Sequence, residues 1–197
     1  METLPPPALP CAVFLVFALA IAGAVHVAWL RSAYSRHFVA PIDAGASWRG
    51  RRLLGDNKTW RGFMAMPLAA ALVFSLAAQF REVLPTWFAA GIWAISAGEL
   101  AFVGFICGLA FMLAELPNSF IKRQLDIYPG ATAPHFGLRV LFLFIDRIDS
   151  TLGVLIVLSL LLPVSGMTWV WALLLGICLH WLFSCWLFAL RLKGRPS

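Results

Sequence analysis

Residues 9–30, LPCAVFLVFALAIAGAVHVAWL, contain no Asp, Glu, Lys or Arg. A helix rises about 1.5 Å per residue and a bilayer hydrocarbon core is about 30 Å thick, so about 20 such residues cross it. Inside hydrocarbon every backbone N–H and C=O must be satisfied within the spanning element, which leaves only helices and closed barrels. The strict apolar–polar alternation of a barrel strand does not occur in this chain. Further apolar runs near 62–80, 92–114, 138–162 and 167–190 bring the expected number of helical spans to five. The composition agrees, since 61% of the residues are hydrophobic and 12% charged, outside the range of soluble domains. The sequence therefore predicts an all-α integral membrane protein forming a single domain over residues 1–197.

The opening METLPPPALP lacks a basic leader, and the apolar run after it is longer than a signal-peptide core, so this run is expected to remain as the first span. Cys11, Cys107, Cys178 and Cys185 lie in apolar segments without metal-ligand spacing and read as small packing residues. Orientation follows from Lys and Arg, which accumulate in cytoplasmic loops. Arg31, Arg36, Arg49, Arg51, Arg52, Lys58 and Arg61 lie between the first two spans. Lys122, Arg123 and Arg139 follow the third, and Arg191, Lys193 and Arg195 form the tail. The other side offers only Arg81. This predicts an outside N-terminus, a cytoplasmic C-terminus, and cytoplasmic loops near 31–61 and 115–137 in the cell membrane. The net charge of +6 is accounted for by this asymmetry and by anionic headgroups. No soluble basic domain exists to carry nucleic-acid binding.

Both long loops carry more than a connector needs. PIDAGASWRGRRLLGDNKTWRG, residues 41–62, joins glycines, tryptophans and clustered cations before the second span. Lys58 and Arg61 share a face if that helix begins early, and its free N–H groups would favour an anion. A positive-inside anchor with interfacial tryptophans explains the same residues. In ELPNSFIKRQLDIYPGATAPHFGLR, residues 115–139, Pro117 is expected to end the third helix and Asn118 or Ser119 to cap a short one. Ser119, Lys122 and Arg123 would then lie within one turn, a plausible phosphate grip. YPGATAP reads as an extended turn, and His135 as a polar loop residue.

The fourth span holds the expensive groups. Asp146, Asp149, Ser150 and Gly153 follow an i, i+3, i+4, i+7 pattern, so both carboxylates share one helical face, while Arg147 points about 100° away from Asp146. From a start near Leu138, Asp146 lies about 12 Å and Asp149 about 16 Å along the axis. At such depth each charge costs on the order of 2.5–3.5 kcal/mol, so these groups must pair internally or line a wet cavity. One arginine leaves the second acid unmatched; a bound cation would match both. Carboxylates at this spacing suit Mg²⁺, a hard ion that completes its shell with water and substrate phosphate. Three readings stand on the residues alone: metal-assisted phosphoryl chemistry on a nucleotide, an ion-coupled transporter, and a structural polar cluster. Glu99 is a further acid in the third span, available to partner Arg147 or to face a small polar pocket beside Gly98, and it is assigned no catalytic role.

PIDAGASWRGRRLLGDNKTWRG, ELPNSFIKRQLDIYPG and FIDRIDSTLG, in this order and spacing, resemble the CDP-archaeol synthase family, the archaeal-type branch of the CTP-dependent phosphatidate cytidylyltransferases. The bacterial branch places a His-Gly-Gly stretch shortly before its DRxD element, whereas here His135 is followed by FGLRVLFLFI. The resemblance implies transfer of CMP from CTP to the phosphate of a membrane lipid, phosphatidate or an isoprenoid-ether glycerol phosphate, with release of pyrophosphate. It implies that Asp146 and Asp149 hold Mg²⁺, a second cation being left open, and that Lys122 joins them in catalysis. It further implies that Asn118, Ser119, Lys122 and Arg123 contact nucleotide and phosphates, that Lys58, Thr59, Arg61 and Gly62 form the other phosphate-binding element, and that Arg147 adds a phosphate contact. CTP, a lipid phosphate and the bilayer are the expected partners, with a homodimer left open. A CTP-dependent lipid kinase would use similar parts but transfer the γ-phosphate.

Overall fold

The computed structural model describes residues 4–189, with side chains through Leu182. Arg191, Lys193 and Arg195, and the side chain of Cys185, lie outside the described residues. The chain is mostly helical. Helix α1 (Ala8–Arg31) begins directly after Pro7, whose extended backbone forms its N-cap, and ends where Ser32 turns extended. Helix α2 spans Trp60–Gln79, the short α3 Thr86–Ala89, α4 Ala97–Gln124, α5 Phe136–Leu161 and α6 Gly166–Ala189. Helices α1, α2 and α4 are each long and apolar enough to cross a membrane. Helix α5 has the length but carries Asp146, Arg147 and Asp149 near its middle.

Close packing is set by small residues at the contacts. A Cβ on Gly108 of α4 would stand 2.6 Å from the Pro67 Cα in α2, and one on Gly104 would stand 2.7 Å from the Ala70 carbonyl oxygen. The backbones of α2 and α4 can approach this closely because both positions lack a side chain. Gly153 does the same between α5 and α4, where a Cβ would fall 2.5 Å from the Ala114 Cβ. Away from the long loops the core gathers around Phe14, Phe74, Trp93, Leu100, Leu155 and Leu158. The Trp93 indole N–H donates to the Pro163 carbonyl at 3.1 Å. Cys11 and Cys107 are buried free thiols within or against this core, while Cys178 faces outward. Phe17, Ile21 and Val25 on α1, and Leu68, Leu72 and Leu76 on α2, recur every four residues and point outward. Such contiguous apolar ridges suit a lipid surface.

Two boundaries differ from expectation. The third apolar run was expected from residue 92, but α4 starts at Ala97. Ser96 forms a capping box there, accepting from the Glu99 N–H at 3.2 Å while Glu99 reaches back to the Ser96 N–H at 2.8 Å. This satisfies two helix-end donors at once. It also assigns Glu99: the acid is an exposed cap, not a partner of Arg147. At the other end Pro117 does not stop the helix, which continues to Gln124. A proline removes one backbone N–H and disfavours this conformation locally. Burial of Asn118 and Arg123 beyond it overrides that preference. Asn118 and Ser119 are thus helix-interior residues, not caps of a separate short helix.

Candidate active site

The uninterrupted α4 is what builds the site. Because the helix runs through Pro117, Glu115, Asn118, Ser119 and Lys122 fall at i, i+3, i+4 and i+7 on one face. The expected face of α5 meets it. Gly153 packs on Ala110 and Ala114, Ser150 donates to Glu115 Oε1 at 3.2 Å, and Asp146 and Asp149 project toward Asn118 and Lys122. The Asn118 amide nitrogen donates to Asp146 Oδ1 at 2.5 Å and to Asp149 Oδ2 at 2.9 Å. Asn118 Oδ1, on the other side of that amide, is buried without a hydrogen-bond partner among the described residues. Lys122 pairs with Asp146, reaching Oδ2 at 2.6 Å, and its ammonium lies 5.2 Å from the Phe142 ring centroid. Lys58 pairs with Glu115. The Asp146 side chain is 46% exposed, so the acids that seemed too deep for comfort border an aqueous cleft.

Two loops complete the cleft. Ala40–Trp60 folds back on itself: Trp60 N donates to Ala40 O at 3.0 Å and Ile42 N to Lys58 O at 2.8 Å. A small hairpin, β1 (Ser47–Trp48) and β2 (Arg51–Arg52), sits within it. Its two-residue turn places both Arg49 (φ 51°) and Gly50 (φ 77°) in the left-handed region, the geometry that matches strand twist. Asp43 is the hub of this loop. Its carboxylate accepts from the backbone N–H groups of Gly45, Leu54 and Gly55 at 3.0–3.2 Å and from the Arg52 guanidinium at 2.8 Å. Burial alone would raise the Asp43 pKa. The Arg52 charge and the three amides outweigh it and hold the carboxyl well below the usual range.

The loop is fastened to the 125–135 segment by arginines. Arg123 donates through Nε to Leu54 O at 3.2 Å and through Nη1 to Ile127 O. A Cβ at Gly55 (φ +96°) would stand 2.8 Å from Arg123 Nε, so only glycine lets the guanidinium through. Arg51 pairs with Asp126 at 2.6 Å and donates to Gln124 O, and Gln124 Nε2 donates to Arg52 O at 3.3 Å. Together the loops and helices enclose a cavity of about 270 Å³. Its lining combines Lys58, Glu115, Asn118, Ser119, Lys122, Arg123, Asp146 and Asp149 with the uncharged Asn57 and the turn Tyr128–Ala131.

Most of the expected site residues meet there, and some do not. Lys58, Asn118, Ser119, Lys122, Arg123, Asp146 and Asp149 line the cavity. Thr59, Arg61, Gly62 and Arg147 do not. Because α2 begins only at Trp60, Lys58 and Arg61 diverge: Lys58 turns to Glu115, while Arg61 donates to Ser35 Oγ at 3.0 Å on the opposite flank. Thr59 is the buried N-cap of α2, and Gly62 lies against His26 of α1. Arg147 spends its Nη1 on the Leu143 carbonyl one turn back, at 2.8 Å. Arg123 touches the cavity while holding the two loops together. His135 is the exposed N-cap of α5 and makes no side-chain capping bond. Sequence reasoning missed Glu115, Asn57 and Tyr128. Glu115 was legible, three residues before Asn118, to a reading that ran the helix through Pro117.

The model of the CarS-like CDP-archaeol synthase family matches residues 12–196, nearly the whole chain. This chain belongs to the CDP-archaeol synthase family. The CDP-archaeol synthase of Thermofilum pendens is 32% identical over 179 residues, covering 89% of this chain and 75% of that protein. That of Methanopyrus kandleri is 32% identical over 159 residues, covering 79% of each. The match to the Pyrococcus furiosus enzyme, 38% identical over 95 residues, spans 47% of this chain and about half (50%) of that protein. A solved intramembrane enzyme of archaeal membrane lipid biosynthesis superposes with a TM-score of 0.62 at 26% identity, covering 92% of this chain and 93% of that one. Membership in the CDP-archaeol synthase family places the chain among enzymes, the cytidylyltransferases that form a CDP-linked lipid, and among membrane-embedded proteins.

Proposed function

We propose that this chain transfers CMP from CTP to the phosphate of an isoprenoid-ether glycerol phosphate, releasing pyrophosphate and leaving a CDP-activated lipid for headgroup attachment. The observation that carries the reading is the mixed lining of the cavity, with two lysines and two aspartates beside uncharged polar groups and an aromatic ring. Lys58, Lys122, Asp146 and Asp149 suit a cation-bound triphosphate, and Asn57 and Tyr128 suit a nucleoside. An exposed aromatic there offers a face for a base to stack on.

The residues fit Mg²⁺. Among the described residues no group of three or more His, Cys, Asp or Glu side chains makes a closed metal cage. Mg²⁺ asks for less: one or two carboxylates, with substrate oxygens and water completing the shell. That one atom, the Asn118 amide nitrogen, lies within 2.9 Å of both Asp146 and Asp149 supports a single point within reach of both acids. Bound there, Mg²⁺ would neutralise phosphate charge and polarise the α-phosphoryl group.

The chain's own groups supply the rest. Lys58 and Lys122 are now committed to Glu115 and Asp146. A triphosphate entering the cavity exchanges those carboxylates for phosphate oxygens on the same ammonium groups, which fixes it along the α4 face. An oxygen of the lipid phosphate then attacks the α-phosphorus, the bond to the β-phosphate breaks, and pyrophosphate leaves. Two anions must meet for this, so positioning and charge neutralisation provide most of the rate. An ionised phosphate monoester needs no proton removed, which agrees with a cavity lined, among the described residues, by no histidine.

We further propose five spans, with α5 and α6 as the fourth and fifth, an outside N-terminus and a cytoplasmic cavity in the cell membrane. In support, the basic residues of both long loops gather at the end of the helices where the cavity lies, and Arg81 stands alone near the far end of α2. The test is incubation of the purified chain with Mg²⁺, cytidine-labelled CTP and a panel of isoprenoid-ether, phosphatidic and polyprenyl phosphates. The expected result is label in the isoprenoid-ether lipid with stoichiometric pyrophosphate. Label in phosphatidate alone would reassign the acceptor, and label in none of the lipids would overturn the reaction.

A further inference from the structure

We infer that Asn118 is itself a ligand to the divalent cation, its side-chain amide turning over so that Oδ1 replaces Nδ2 in front of Asp146 and Asp149. The inference rests on the metal reading above and adds a group to it.

Asn118 occupies an odd position for an ordinary structural asparagine. Its Nδ2 is shared between two carboxylates, at 2.5 and 2.9 Å, while its Oδ1 is buried with no hydrogen-bond partner among the described residues. A buried carbonyl oxygen without a partner is uncommon and destabilising, so its neighbourhood asks for an explanation. An amide's oxygen and nitrogen are nearly equal in shape, and which one faces a neighbour is decided by the network around it. Facing two bare carboxylates, only the N–H₂ group is tolerable. Facing two carboxylates that share a cation, the N–H₂ group is repelled and the oxygen is attracted.

The rest of the site leaves this duty to Asn118. Glu115, one turn earlier, is held by Lys58 and by Ser150 Oγ. Lys122, one turn later, brings a positive charge and cannot ligate. Asn118 is buried in the rigid interior of α4, so rotation about its own side-chain torsions exchanges the two atoms without moving the helix. The result is three oxygens from two helices around one point, a hard donor set of the kind Mg²⁺ and Mn²⁺ take. The same amide thus satisfies the carboxylates by donating when no cation is bound and completes their coordination by accepting when one is.

Mn²⁺ binding to the detergent-solubilised full chain without nucleotide, followed by electron paramagnetic resonance, tests this apart from turnover. Asn118→Ala is expected to weaken Mn²⁺ binding by about 10-fold or more, a loss typical of groups that hold a metal in place. Asn118→Asp, which keeps the shape and supplies an oxygen in every orientation, is expected to bind Mn²⁺ at least as tightly as the unaltered chain. The inference is overturned if both variants keep the affinity of the unaltered chain, or if Asn118→Asp binds more weakly. An Asn118→Ala chain with unchanged Mn²⁺ affinity but a raised KM for CTP also overturns it, because Asn118 would then serve a phosphate through Nδ2. Asp146→Asn and Asp149→Asn separate the two layers. If they abolish Mn²⁺ binding while Asn118→Ala does not, only the Asn118 inference falls; if they too bind normally, the metal site itself falls.

Discussion

Replacement of Asp43 by asparagine should loosen the Ala40–Trp60 loop and, through it, the proposed nucleotide site. The Asp43 side chain is 1% exposed. Oδ2 accepts from Leu54 N at 3.0 Å and Gly55 N at 3.2 Å, and Oδ1 accepts from Gly45 N at 3.2 Å and Arg52 Nη2 at 2.8 Å. Asparagine keeps one oxygen and turns the other into an N–H₂ group. Whichever way the amide lies, at least two donors lose their acceptor and face another donor instead, and three do where the N–H₂ group replaces Oδ2, which also accepts from Arg52 Nε at 3.4 Å. A stranded buried donor costs about 1–3 kcal/mol, so the loss is about 2–6 kcal/mol before any charge on Arg52 is considered. The helices gain nothing from Asp43, and the cost falls on the loop. Lys58 and Asn57 ride on that loop, so fewer molecules hold a competent site and the apparent nucleotide affinity falls with that fraction. Hydrogen exchange read by mass spectrometry on the peptide covering 53–58 should show protection lost by about 30-fold or more, since 1.4 kcal/mol is a factor of ten. The KM for CTP should rise well before kcat falls. Unchanged exchange in that peptide, or a fall in kcat at constant KM, would refute the reasoning that Asp43 acts by holding Lys58 in place.

Because the folded-state pKa of Asp43 lies below its unfolded value of about 3.9, its contribution is fully present above that pH and is lost as pH falls toward the depressed native value. Protection of 53–58 should therefore stay flat from pH 8 to about 5 and decline only below about 4; a decline near neutrality would point to another group. Asp146→Asn and Asp149→Asn should each lower lipid labelling by at least about 100-fold while the protein still inserts, and activity retained in both removes their role. Gly153→Ile should separate α5 from α4, since even a Cβ would lie 2.5 Å from Ala114; overpacking of about 1–3 kcal/mol should appear as a lower melting temperature together with lost activity. Tyr128→Ala should raise the KM for CTP by about 10-fold without changing inhibition by pyrophosphate, and equal effects on both ligands would place the base elsewhere.

The spacing of residues made half of this site legible before any coordinates. Asp146, Asp149, Ser150 and Gly153 share a face because helical periodicity alone requires it, and the structure packs that face on α4. Lys122 and Asn118 were legible as residues but not as neighbours, because Pro117 argued locally for a helix end. Burial of Asn118 and Arg123 decided the matter, and burial is a property of the tertiary fold. The pairing of Lys58 with Arg61 failed for the complementary reason. Their spacing suits one helical face only if both lie in the helix, and α2 starts between them at Trp60. The Arg49–Gly50 hairpin and the Arg123 clasp were not legible, since each depends on which backbone carbonyls lie across a loop.

The charges inside α5 separate by direction. Arg147 points off the shared face and is satisfied by the Leu143 carbonyl of its own helix, so it does not balance either acid. Among the described residues Asp149 has no cationic partner; its hydrogen bonds come from a neutral amide, Asn118, and from Ser150. Asp146 has Lys122, but at a side chain nearly half exposed, where a lysine is readily drawn to a phosphate. A cluster built only for stability would place a fixed cation, most simply an arginine fork, between carboxylates this close, because a lone buried acid is expensive. Here Arg123, the arginine at the cavity wall, is turned instead toward backbone carbonyls of both loops. The arrangement leaves the two acids undercompensated at one point, shared by Asn118, and keeps the lysines at the edge. Such a site would gain most from a small divalent cation arriving with a polyanion, the pairing proposed above for a CTP-dependent transfer to a lipid phosphate.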